Sequence, residues 1–349
     1  MSVIPKKFPV TSEIIPLSGM RKLLAVDKAT DTLYIGNGYD LEKTADWDAT
    51  TETVHTFTSR VDYVEVLDDG ALLVGRNGGR VYRYIDGSAT EVLAMKSLPL
   101  HGFNVVGNII TVGEYTTPPT KIWLSTDYGA TWDPILEVTD PYVDHCHDVV
   151  FDPYENIIWS CWGDGRPFDT ILYSDDFGAS WQQIAEKYYL RATNIMPLPN
   201  CVLFGTDQYN VLGTYRHDRP ANGSVQSDVR PYLDWLGRKD TFADAAIWAM
   251  KPAMTYGPQG DALALWGYRL PANNGVVPAQ VYASDGVLTR PIWSQDKISD
   301  SPEANGIYRV FGPTDSGYIV ADLRSVYPNS EAVDCIQHIV KIAWNVSEA

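Results

Sequence analysis

The chain is 349 residues long, 45% hydrophobic and 20% charged, with 44 acidic against 27 basic side chains and a formal net charge of −17. That is ample apolar material for a core, whether in one large closed β-domain or in two ordinary ones. The acidic balance argues against nucleic acid, whose phosphates demand clustered Lys and Arg, and against insertion at an anionic membrane surface.

The segment from Met1 to Pro9 holds no apolar core of a secretory signal, and no later stretch is apolar and long enough to span a bilayer. The expected location is the cytoplasm, or a virus particle released by another route. Residues 10–16 alternate like a strand. From Lys22 onward, short alternating runs broken by Gly, Asp, Asn and Pro follow one another with almost no 3.6-residue period. They group into copies of a four-strand unit. The first has Lys22–Val26 and Thr32–Gly36, and the second Tyr63–Leu67, Ala71–Gly75, Arg80–Tyr84 and Thr90–Ala94. The third has Phe103–Val106, Ile109–Gly113 and Lys121–Ser125, and the fourth His147–Phe151, Ile157–Trp162 and Thr170–Ser174. Next come Thr193–Pro197, Cys201–Gly205 and Val211–Tyr215, then a polar stretch over 216–248 that reads as a long insertion or lid. The sixth copy has Ala262–Gly267, Gln280–Ala283 and Arg290–Ser294, and the last Tyr308–Gly312, Tyr318–Ala321 and Ile336–Trp344. The last copy lacks a fourth strand, which residues 10–16 are expected to supply, closing a ring. Cys146 and Cys161 flank one predicted hairpin, as a disulfide or as buried thiols.

Two segments 49 positions apart share one pattern: Ser125-Thr126-Asp127-Tyr128-Gly129-Ala130-Thr131-Trp132 and Ser174-Asp175-Asp176-Phe177-Gly178-Ala179-Ser180-Trp181. The Asp accepts backbone N–H groups of its own turn, the Gly supplies a positive φ, and the Trp offers a large apolar surface to a neighbouring sheet. The pattern resembles the Asp-box of sialidase-like β-propellers. This resemblance implies an all-β fold, a single β-propeller of four-stranded antiparallel blades over residues 1–349. The copies count to seven blades, with six the alternative. It also implies that the boxes lie between the third and fourth strands of a blade, away from a catalytic face. The Arg-Ile-Pro segment of true sialidases has no counterpart here, the early chain reading Lys7-Phe8-Pro9-Val10.

In such a blade, the loops joining strands two and three share a face with those joining consecutive blades. These loops carry Asp40, Arg76, Glu114, Tyr115, Trp162, Asp164, Arg166, Asp207, Arg269 and Arg324, and His145, His147 and Asp148 enter the fourth copy beside them. Glycoside hydrolysis needs two carboxyl groups roughly 5–10 Å apart. Asp164 or Glu114, set against Asp207 or Asp40, is the expected acid/base set, with His147 a further catalytic candidate. Asp40, Arg76, Tyr115, His145, Asp148, Trp162, Arg166, Arg269 and Arg324 are the expected substrate contacts. His-x-His on a strand points both rings to one side, so His145 and His147 are alternatively metal ligands; no other cofactor is expected. The expected function is a glycan-active propeller, a glycoside hydrolase cleaving a polysaccharide. The alternatives are a non-catalytic glycan- or receptor-binding propeller, such as a phage-tail or virion component in a homo-oligomeric assembly, and an intracellular assembly factor.

Overall fold

The computed structural model describes residues 11–17, 21–45, 47, 50–163, 170–184, 191–206, 213–219, 230–234, 248–249, 252–256, 262–269, 279–295, 305–325 and 337–344. No helix occurs among the described residues, and none is long and apolar enough to cross a membrane. The strands form seven antiparallel sheets, the blades of a propeller. The ring closes as the sequence predicts: Ser12–Leu17 pairs antiparallel with Gln337–Ala343 and becomes the outer strand of blade seven. The Trp293 indole of blade six donates to Ser12 Oγ at 3.2 Å, tying that strand to a second blade.

Part of the predicted insertion is blade. Gly213–Asp218 and Arg230–Asp234 are the third and fourth strands of blade five, and Trp248–Ala249 begins blade six. The third strand was expected at Val211–Tyr215 and runs on to Asp218, whereas the fourth strand and the start of blade six fall inside the stretch read as an insertion. The rest of 216–248, apart from Arg219, lies outside the described residues.

The core lies between blades. Ile122 and Leu124 of blade three meet Val149, Phe151, Ile158 and Trp162 of blade four, and this face-to-face burial recurs around the ring. Blades converge toward the central channel, and there the second strand runs out of room for side chains. A Cβ on Gly113 would collide with the Cys146 side chain of the next blade. Cys146 packs between blades three and four and Cys161 between blades four and five, both as free thiols. The hairpin reading of the sequence therefore stands, but its two thiols sit on opposite sheet faces and cannot pair.

Both Ser-x-Asp turns close third-to-fourth-strand hairpins. Asp127 accepts from Thr131 N at 2.9 Å and Thr131 Oγ1 at 2.6 Å, while Ser125 Oγ donates to Asp127 Oδ1 at 2.8 Å and accepts from Gly129 N at 2.9 Å. Asp176 repeats this set with Ser174, Gly178 and Ser180. Each turn holds two successive left-handed residues, Tyr128 and Gly129 in one and Phe177 and Gly178 in the other. The turns also reach backward around the ring: Trp181 Nε1 donates to Ile135 O of blade three at 3.1 Å, and Arg83 Nε of blade two donates to Tyr128 O at 3.2 Å. They staple blade to blade.

A second recurrent irregularity shapes the channel. In five blades the first strand carries an extra residue opposite the second strand: Leu24, Asp62, His147, Thr193 and Tyr308. A bulge reverses the inside–outside alternation beyond it. It thus decides which inner-strand side chains face the channel.

Candidate functional site: the cationic mouth of the channel

The structure describes most of the residues expected to act on a substrate. Glu114 is 2% exposed. Its Oε1 accepts from Lys96 N at 2.9 Å and Trp123 Nε1 at 3.3 Å, and its Oε2 from Lys121 N at 3.1 Å. The carboxylate clamps an interblade loop to blade three. Asp148, half-buried, accepts from Ile195 N of blade five at 3.0 Å and from Val149 N at 2.9 Å. Burial pushes its carboxyl up to about 7, against the two amides and the nearby His147, which favour the charged form. Asp40 accepts from the Thr56 hydroxyl at 2.6 Å, across the outer edge of blade one. Arg76 is buried between the Phe57 and Tyr82 rings and donates to Thr58 Oγ1 and Ser59 Oγ. Trp162 is wholly buried with its indole N–H on Ser160 Oγ at 3.0 Å. Glu114, Arg76 and Trp162 are thus buried within the fold, while Asp148 is half-buried and Asp40 partly exposed at the edge of its blade. Asp164, Arg166 and Asp207 lie outside the described residues, as does the side chain of Arg269.

His145 and His147 do come together, their Nε2 atoms 3.0 Å apart and the Tyr115 ring 3.9 Å from that of His145. His147 Nδ1 lies 2.8 Å from Ala192 O. A carbonyl can only accept, so Nδ1 of His147 carries a proton, and one of the two facing Nε2 atoms donates to the other. Among the described residues, no group of three or more His, Cys, Asp or Glu side chains is placed to hold a metal ion. Deeper in the channel, His101 is 5% exposed and burial pushes its ring down to about 3, helped by His147 and Arg309.

Among the described residues, this face also carries an open cavity. A cavity of about 450 Å³ is lined by Lys22, Arg60, Lys96, Arg309 and Arg324, with Asp62 as its one acidic side chain. Each cation has a topological reason to be there. Lys22 stands near the start of the first strand of blade one, Arg21–Val26. Arg60 and Lys96 lie on the loops leading into blades two and three, and Arg324 near the end of the second strand of blade seven, Tyr318–Ser325. Arg309 follows the bulge of blade seven; its guanidinium donates to Leu24 O at 3.2 Å and Asp62 O at 3.0 Å, the carbonyls of the bulge residues in blades one and two. Arg324 lies on the Tyr308 ring and is bound to the buried Asp322 carboxylate. Arg60 donates to Asp62 at 2.6 Å. Lys96 Nζ donates to Thr117 O at 2.7 Å. Lys22 makes no hydrogen bond or ion pair among the described residues; burial lowers its ammonium, and Arg324, Arg60 and Arg309 lower it further against the opposing Asp62.

Arg324 was expected from sequence. Lys22, Arg60, Lys96 and Arg309 were not, although loops between blades share the face of the loops that were searched. Their signal was basic residues at these joints in a strongly acidic chain.

No family model matches the chain, and no curated protein sequence matches it. Solved structures do. The chain is similar to YCF48 bound to a D1 peptide, with a TM-score of 0.61 and 13% identity over 99% of both chains. It is also similar to YCF48 from Cyanidioschyzon merolae, with a TM-score of 0.58 and 12% identity over 95% of this chain and 98% of that one. The WD40 β-propeller domain of Doa1 matches with a TM-score of 0.57 and 10% identity over 95% and 97%. At such identities the likeness is one of fold: the chain is a seven-bladed β-propeller of four-stranded antiparallel blades.

Proposed function

We propose that this propeller is a recognition module, and that the channel mouth opposite the Ser-x-Asp turns receives an acidic segment of a partner protein. The observation that carries this reading is five cations around one cavity in a chain of net charge −17. Such a mouth focuses an attractive field for anions within an otherwise repulsive surface. The described carboxylates that a hydrolase would use are, by contrast, engaged: Glu114 and Asp148 with backbone amides and Asp40 with Thr56. A similar fold bound to a peptide, in YCF48 with its D1 peptide, supports the same reading by analogy. The paired turns support kinship with the Asp-box propellers, which leaves this function open.

A second reading, an acidic polysaccharide or a receptor glycan met by a virion component, is favoured by Tyr39. This ring is 60% exposed on a loop of the same face and is free to stack on a sugar. The test is fluorescence anisotropy of the full chain with a labelled oligoglutamate, an oligolysine of equal length, a polyuronate and a neutral glycan, at low and high salt. Oligoglutamate should bind, weaken with salt, and lose binding in Lys22→Glu/Arg60→Glu. A polyuronate that outcompetes it moves the assignment to the second reading. Equal binding of acidic and neutral probes, or release of reducing ends from any glycan, would overturn the recognition reading.

A further inference from the structure

We infer that the cationic mouth is built for a compact group carrying two negative charges, with Lys22 as its central contact: a phosphorylated side chain, or two adjacent carboxylates, on the partner. This rests on the recognition reading above and specifies the chemistry of its ligand.

The argument is one of charge and of donors. Of the five cations, Arg60 is matched by Asp62 and Arg324 by Asp322, a carboxylate wholly buried behind it. Lys96 and Arg309 are bonded to carbonyl oxygens, those of Thr117 and Pro118 for one and of Leu24 and Asp62 for the other. A carbonyl takes up a donor but cancels no charge. Lys96 and Arg309 therefore keep their full charge, and Lys22 keeps both its charge and its donors. Three uncompensated positive charges share a cavity of about 450 Å³. A single carboxylate leaves two of them unmatched, whereas a dianion approaches balance within one small volume.

Two further features point at a polar occupant. The hydroxyl of Ser97, which lines the cavity, is buried without a hydrogen-bond partner among the described residues. Gly78, on the rim, has φ +88° and no atom within 4 Å of where a Cβ would stand, so the entrance is open there. The like charges around Lys22 add a thermodynamic signature. Burial and its cationic neighbours depress the ammonium, so an arriving dianion raises it again, and binding at alkaline pH takes up a proton.

Titration calorimetry of the full chain tests this with four peptides of one length at matched ionic strength: one phosphoserine, one Glu-Glu pair, one single Glu, and a neutral control. At least one dianionic peptide should bind about tenfold or more tighter than the single-Glu peptide. Lys22→Met, which keeps the apolar stem, should remove that preference and, in buffers of differing ionisation enthalpy, the proton uptake. Lys43→Met, at an outer-strand pair with Glu52, should change neither. Preference for phosphoserine alone assigns the group to phosphorylation, preference for Glu-Glu alone to paired carboxylates, and both outcomes support the inference. Equal binding of single and double charges overturns it, as does an unchanged Lys22→Met. Should that variant fail to fold, the wild-type comparison of single and double charges decides alone. If oligoglutamate binds but neither dianionic peptide is preferred, this inference fails and the recognition reading stands; if no acidic probe binds, both fail.

Discussion

The channel has two mouths, built from overlapping inner strands, and they carry opposite chemistry. The upper one gathers five cations. The lower, a cavity of about 730 Å³, is lined by apolar side chains such as Val106, Met254 and Phe311, with Asp27, Glu65 and Asp68 at its edge against Lys28 alone. Part of this acidity has a local cause. Of these acids, Asp27 accepts from Ala29 N and Thr30 Oγ1 within its own turn, and two acids outside this cavity, Asp69 and Asp152, cap the matching turns of blades two and four through Ala71 N and Tyr154 N. Asp is common there because it makes the turn from the first strand to the second. No turn asks for Lys22. Part of the negative charge at the lower mouth thus follows from chain reversal, whereas no turn accounts for Lys22 at the upper mouth.

The largest effect that would break this contrast is at Arg309, the upper cation that ties blade seven to blades one and two. Arg309→Met strands two buried carbonyls, Leu24 O and Asp62 O, and should cost about 2–4 kcal/mol in urea unfolding. Asp68→Asn at the lower mouth should cost almost nothing. A loss below about 1 kcal/mol for Arg309→Met would mean that the bulges of blades one and two hold without it.

Between the mouths, Asp148 supplies a pH test. Its folded pKa, about 7, lies above its unfolded value, so the native state binds the extra proton. Its contribution is fully present below about pH 4 and is lost as pH rises through about 7. The melting temperature of the wild type should fall by several degrees over that window relative to Asp148→Asn. Parallel profiles for the two proteins would show that the Ile195 and Val149 amides outweigh burial.

Much of the fold was legible because it is written in local rules. The paired turns marked third-to-fourth-strand hairpins, and the missing last strand gave residues 10–16 their role, which the structure fills with Ser12–Leu17. The site was much less legible, because it depends on register. In the sequence Tyr308–Gly312 reads as an ordinary strand, and only the bulge before Arg309 turns that guanidinium across the channel. Glu114 had the position of an acid, but whether a carboxylate is open or bound depends on amides from Lys96 and Lys121. Composition alone concealed Lys22: a net charge of −17 describes a surface average and says nothing of where the minority sign collects.

A smaller effect probes the turns. Asp127→Ala removes acceptors for Thr131 N, Thr131 Oγ1 and Ser125 Oγ in a largely exposed turn, and should cost about 1 kcal/mol in thermal unfolding. Asp127 is held below the usual carboxylate range by those bonds, against burial, and Asp176 at about 2 by its bonds to Ser180. Their folded values lie below the unfolded ones, so their contribution is present above about pH 4 and lost as pH falls toward 2. Wild type and Asp127→Ala should therefore converge in stability at acid pH. A gap that persists at pH 2 would assign the loss to packing rather than to the carboxylate.

The smallest effect has the opposite sign. Lys22 holds a half-buried charge among Arg324, Arg60 and Arg309 with no bond among the described residues to offset it, so Lys22→Met should stabilise the free protein, by about 0.5–1 kcal/mol near neutral pH. Because the folded ammonium is depressed, the unfolded chain binds the extra proton as pH rises, and the wild type gains stability through the alkaline range while the variant does not. Their difference should shrink toward the unfolded lysine value. Adding the dianionic peptide should shrink it as well, since only the wild type has a charge for the ligand to relieve. If Lys22→Met is instead destabilising at neutral pH and insensitive to both treatments, then Lys22 is a packing residue like the aliphatic stems around it, and the contrast between the two mouths loses its functional half.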